Sequence, residues 1–133
     1  MRGSLQSYRK VSVDSQLSEA SPHRITQMLF AGALERIAQS KHAIDNNDIA
    51  SKGALIGKAI GIVQGLRGCL VMDDSEIGQN LNSLYDFVLS GLSQANINND
   101  TAVLDDVSEI LRTIKEAWDQ IPQEEHNITA HAS

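Results

Sequence analysis

The sequence is short of the residues that usually give a small protein its chemistry. Its 133 residues include one cysteine, two prolines, one tryptophan, two tyrosines and two phenylalanines. A lone cysteine, Cys69, excludes an internal disulfide framework and a cysteine-rich zinc site. It sits among apolar residues and is expected to be a small core side chain. With proline only at positions 22 and 122, nothing between them forces a helix to end. No apolar run approaches the roughly 18 residues of a membrane span, and the N-terminus lacks the apolar centre of a secretory signal. A soluble, cytoplasmic protein without membrane insertion is therefore expected. Motifs for chemistry are missing too: there is no GxxxxGK[ST], no GxGxxG and no HExxH. The Glu-x-x-His pairs of carboxylate metal sites in helical bundles are absent as well. Hence no catalytic residue, metal or cofactor is expected.

Positive charge is scarce in the second half. Residues 1–72 carry nine Lys/Arg against five Asp/Glu, whereas residues 73–133 carry two against twelve. The cations of the first half are scattered, without a basic run or interleaved aromatics, and the acidic second half would repel a polyanion. Nucleic acid is thereby excluded as a partner. The asymmetry fits two halves that pack together, or a surface that steers a protein partner.

What the chain does have is helical period. Ser21-Pro22 supplies a hydroxyl N-cap and a proline at the first helical position, where its missing N–H costs nothing. The helix that follows runs to about Asp45, and Asn46-Asn47-Asp48 breaks it and caps the next. The second helix, from Ile49 to about Met72, carries Gly53, Gly57, Gly61 and Gly65 every four residues, with Gly68 three further on. Each interior glycine costs roughly 1 kcal/mol relative to alanine, so this slanted ridge needs an offsetting reason, such as the close approach of another backbone. Its apolar set of Leu55, Ile56, Ala59, Ile60, Ile62, Val63, Leu66, Cys69 and Leu70 is wider than a bundle seam requires. The excess fits either an apolar groove or a helix that touches two neighbours.

Asp73-Asp74-Ser75 separates the second and third helices, with Asp73 and Glu76 at capping-box spacing. The third, Glu76–Asn96, aligns Ile77, Leu81, Leu84, Val88, Leu92 and Ala95 on one face. Its other face is almost free of charge: from Ile77 to Asn99 only Asp86 is ionised. Amides and hydroxyls in place of Lys and Glu pairs suit a face that is buried, covered by a partner, or simply hydrated. Asn98-Asn99-Asp100 makes the next turn. The fourth helix alternates steps of three and four through Leu104, Val107, Leu111, Ile114, Trp118 and Ile121 until Pro122 stops it. These spacings predict an all-α protein: an antiparallel up-down four-helix bundle over residues 21–121. Residues 1–20, punctuated by Leu5, Tyr8, Val11, Val13 and Leu17, are expected to form an N-terminal capping arm anchored by Tyr8. Residues 122–133 are polar, without pattern, and expected to be disordered.

Two functional classes compete. A histidine on a helix of a four-helix bundle admits phosphotransfer signalling through His42. The residues after it, Ala43-Ile44-Asp45-Asn46, depart from the small-residue and lysine signature of such modules. The other class is a binding module. Tyr8, then Ala20-Ser21-Pro22, Met28-Leu29-Phe30 and Lys58-Ala59 occur in the order and spacing of a known family. So do Asn80-Leu81-x-x-Leu84-Tyr85-Asp86, Ala95-Asn96, Asn99-Asp100, Leu104-Asp105-Asp106-Val107 and Ala117-Trp118. From Tyr8 to Trp118 the chain resembles the FliS family of flagellar secretion chaperones. It departs from that family's pattern at Leu70–Ser75.

The resemblance implies a non-enzymatic protein that binds the C-terminal segment of flagellin, prevents its premature polymerisation and delivers it to the flagellar type III export gate. The flagellin-binding groove is expected along Tyr8, Met28, Leu29, Phe30, Ile60, Val63, Leu66, Asn80, Leu81, Leu84, Tyr85, Val88 and Asn96.

Overall fold

The structure is a computed structural model that describes residues 21–70 and 76–120. The expected arm with Tyr8, the capping pattern at Asp73 and the expected tail lie outside the described residues. Four helices account for nearly all of the rest: α1 (Pro22–Asp45), α2 (Ile49–Gly68), α3 (Glu76–Asn98) and α4 (Thr101–Gln120).

Their ends are set by local chemistry. Ser21 accepts from the Arg24 N–H with Pro22 behind it, and Asp48 accepts from the Ser51 N–H. The Asp100 carboxylate accepts from the N–H groups of both Ala102 and Val103. The two short turns are built alike. Asn47 (φ 57°) and Asn99 (φ 53°) both adopt the left-handed conformation that asparagine tolerates best after glycine. The next residue, Asp48 or Asp100, closes the turn by donating its N–H to Ala43 O or Ala95 O. An Asn-Asp pair thus ends one helix and starts the next.

Packing follows the three-four spacing. Phe30, Ala33 and Ile37 from α1 meet Ile56, Ala59, Val63 and Leu66 from α2. Tyr85, Val88, Leu92 and Ala95 from α3, with Leu104, Val107 and Leu111 from α4, complete the core. Each large side chain fully buried there contributes about 1.5–3 kcal/mol. Each helix packs against the next, and α4 returns to α1, so the core is enclosed by a ring of four. Along α1 and α4 the contacts run in opposite senses. Gln27 donates to Asp119 at one end, while Lys41 pairs with Asp105 at the other. Likewise Lys52 meets Asn96 and Asn99 at the end of α3, and Arg67 meets Asp86 further back along it.

Two expectations change here. Cys69 is exposed, because α2 ends at Gly68 and the thiol sits at its C-cap, past the end of the apolar stripe. The glycine ridge turns away from the other described helices: among the described residues, a Cβ at Gly53, Gly57, Gly61, Gly65 or Gly68 would meet nothing within 4 Å. The close approach in this bundle is made instead by Gly91 of α3, where a Cβ would lie 2.7 Å from Val107 Cγ1 of α4. α2 packs on both α1 and α3, which uses Ile56, Ala59, Val63 and Leu66 of its wide apolar set in the core, while Leu55 borders an open hollow.

Candidate functional site

The residues expected to line a groove divide by depth. Phe30, Val63, Leu66, Tyr85 and Val88 are 4% exposed or less and belong to the core. They face inward because they occupy the inner stripe of their helices, which sequence spacing cannot distinguish from a groove stripe. Met28, Leu29, Ile60, Leu81 and Asn96 are half-buried, while Asn80 and Leu84 are exposed. Tyr8 lies outside the described residues.

Two of these residues are tied into the fold, one by its side chain and one by its backbone. Tyr85 is buried in the core, and burial, followed by the nearby Cys69, pushes its phenol up to about 12. It therefore stays protonated at any physiological pH. Asn96 offers its backbone carbonyl to the buried Lys52, whose ammonium donates at 2.9 Å there and at 2.6 Å to Asn99 Oδ1. A cation on the last turn of α3 also complements that helix's dipole.

Among the described residues, one open surface lies between α3 and α4. A groove of about 210 Å³ is lined by Leu84, Glu109, Ile110, Thr113 and Ile114. Leu84 is 39% exposed, and Phe87, one turn further along the same side of α3, is 60% exposed. Sequence spacing passed over Phe87 because it falls off the regular apolar stripe. Its signal was a large aromatic on an otherwise uncharged polar face. That face is on the surface: Gln79, Ser83, Ser90, Ser93 and Gln94 are all exposed. Its single carboxylate, Asp86, is paired with Arg67. Burial inside the bundle is thereby excluded as the reason for its missing charge.

Two other hollows differ in lining, and one of them, at the turn end, borders Ile49, which is 69% exposed. One of about 540 Å³ lies between α1 and α2, beside Ala38, Gln39, His42, Asn46, Ser51 and Leu55, and carries no exposed large apolar side chain. The other, about 120 Å³, sits at the turn end around Ile44, Asn47, Ile49 and Lys52. His42 is exposed, with its Nε2 3.0 Å from the side-chain nitrogen of Asn46 one turn on. Among the described residues no group of three His, Cys, Asp or Glu side chains is placed to hold a metal ion. No described helix is long and apolar enough to cross a membrane.

A family model described as flagellar protein FliS matches residues 4–125. Over 131 residues the chain is 59% identical to the flagellar secretion chaperone FliS of Vibrio cholerae, covering 98% of this chain and 96% of that one. The chain belongs to the FliS family. FliSB of Pseudomonas aeruginosa, also a flagellar secretion chaperone, is 45% identical over 88% of this chain and 94% of its own. FliS of Salmonella typhimurium is 38% identical over 88% of each. Membership of the FliS family leaves the phosphotransfer reading of His42 without support. It directs attention to open surfaces such as the α3–α4 groove, where two large apolar side chains, Leu84 and Phe87, are exposed one turn apart.

Proposed function

We propose that this FliS family member is a cytoplasmic export chaperone that holds the C-terminal segment of flagellin. It keeps that segment from polymerising and assists its delivery to the flagellar type III export apparatus. The role is binding, not catalysis. Its relatives' name supports the class of function, and the observation that carries the reading is the exposed pair Leu84 and Phe87 beside the α3–α4 groove.

The physical requirements match. A segment that is disordered when free and ordered when bound gives up conformational entropy on binding, so its chaperone needs a long apolar contact to offset that cost. An uncharged polar border adds hydrogen-bonding capacity without the desolvation cost of ions.

Co-purification with flagellin tests the proposal, comparing full-length flagellin with a form lacking its C-terminal segment. Retention of the first and loss of the second is expected. Equal retention of both, or of neither, would refute it.

A further inference from the structure

Among the described residues, the two most exposed large apolar side chains lie away from the α3–α4 groove: Ile97 at 79% and Ile49 at 69%. Helical period puts them on one surface. Ile49 precedes Arg67 by eighteen residues, about five turns, and Ile97 follows Asp86 by eleven, about three turns. Arg67 and Asp86 are paired across α2 and α3, so both isoleucines lie along that shared side, at its turn end. Leu84 comes thirteen residues before Ile97, about 140° away around α3, so the groove with α4 opens on another side. The two isoleucines are also tied in place. Lys52, one turn after Ile49, donates to the carbonyl of Asn96, the residue before Ile97, and to Asn99 Oδ1. A surface held at fixed spacing has little further order to lose on binding.

The charge around this pair has one sign. Residues 43–52 and 93–104 contain Asp45, Asp48 and Asp100, and their one cation, Lys52, is 7% exposed. Asp45 and Asp48 are exposed, and Asp48 lines the turn-end hollow beside Ile49. Neither makes an ion pair among the described residues. A second copy docked through the same end would bring like charges face to face, and a polyanion or anionic lipid surface would be repelled. We infer that Ile49 and Ile97 form a second docking surface, for a cationic protein segment that is not the exported client. Apolar side chains of that segment cover the two isoleucines, and Lys or Arg residues flanking them meet Asp45 and Asp48. The apolar contact supplies most of the affinity, while the charges contribute specificity and encounter rate. This surface goes beyond the proposed chaperone role, because it is open while the α3–α4 groove is filled.

Three short synthetic peptides serve as the probe, with the same pair of isoleucines flanked by Lys, by Gln or by Glu. Amide NMR spectra of the full chain should shift at residues 44–52 and 96–100 with the Lys peptide, and stay in place at 84–87 and 109–114. At low salt the Lys peptide should bind about fivefold tighter than the Gln peptide, and the Glu peptide more weakly than either. High salt removes the preference. D45N/D48N keeps a capping side chain at position 48 and should bind the Lys and Gln peptides equally. I49S/I97S, altered only at exposed side chains, should lose all three peptides and retain flagellin as the parent does. Equal binding of the Lys and Glu peptides, shifts confined to the α3–α4 side, or unchanged binding by I49S/I97S would overturn the inference. So would a dimer of the parent that I49S/I97S abolishes, which assigns the surface to a second copy. Loss of flagellin by I49S/I97S would assign it to the client and overturn the inference equally.

Discussion

Gly91 and Gly61 show how the same residue type answers different demands. At Gly91 a methyl group would sit 2.7 Å from Val107 Cγ1, on a β-branched side chain that cannot swing aside in a helix. Crowding of that kind costs about 1–3 kcal/mol, more than the roughly 1 kcal/mol gained in helix propensity. Gly91→Ala is therefore expected to lower the free energy of unfolding. At Gly61 none of the described residues lies within 4 Å of the added carbon. Gly61→Ala should raise stability by about 0.5–1 kcal/mol, and paired urea titrations of the two variants check both signs. Acid stability has a residue-scale origin as well. The Asp119 carboxyl is held below its ordinary value, chiefly by the hydrogen bond from Lys115, with Gln27 adding a second. A depressed folded pKa gives stability that is present above the unfolded value and lost as pH falls through the folded one. Asp119→Asn should thus flatten the acid limb of the stability profile below about pH 4. An unchanged limb would show that Asp119 does not contribute.

Among elements, the turns show best why helix ends were legible from sequence. Ser21, Asp48 and Asp100 act on N–H groups two or three residues away, so a cap is readable without knowing the fold. Burial depth was not readable in that way. Val63 and Leu84 both lie on apolar stripes, yet Val63 is 0% exposed and Leu84 is 39%. Only the neighbouring helices decide which stripe closes the core. An aspartate at Val63 would accordingly unfold the bundle rather than report on a groove. Lys52 was hidden for the same reason. It is 7% exposed, and its partners Asn96 and Asn99 are on α3 and the turn after it, distant in sequence. Lys52→Met keeps the apolar stem but removes both hydrogen bonds, leaving a buried carbonyl unpaired. A loss of about 1–3 kcal/mol is expected. Hydrogen exchange should rise first across residues 95–102, and uniform exchange across the chain would contradict a local tie between the two turns.

At the scale of the whole molecule, the described helices enclose one core, and the groove between α3 and α4 has the exposed apolar side chains Leu84 and Phe87 beside it. An arm that covers the groove when no client is bound would lower the apparent affinity by the fraction of molecules in the covered state. Tyr8→Ala is then expected to increase dye binding by the free protein and to leave client affinity equal or higher. Hydrogen exchange of residues 5–17 should also increase when the client binds. Greater protection there would make the arm part of the binding surface instead of its cover. The most direct measurement of the central claim is the affinity of the full chain for the isolated C-terminal segment of flagellin, compared with that of the Phe87→Ser variant. Phe87 is 60% exposed, so the variant should fold and melt as the parent does. The account predicts a loss of at least about tenfold, the equivalent of 1.4 kcal/mol. Undiminished affinity in a folded Phe87→Ser protein would contradict it.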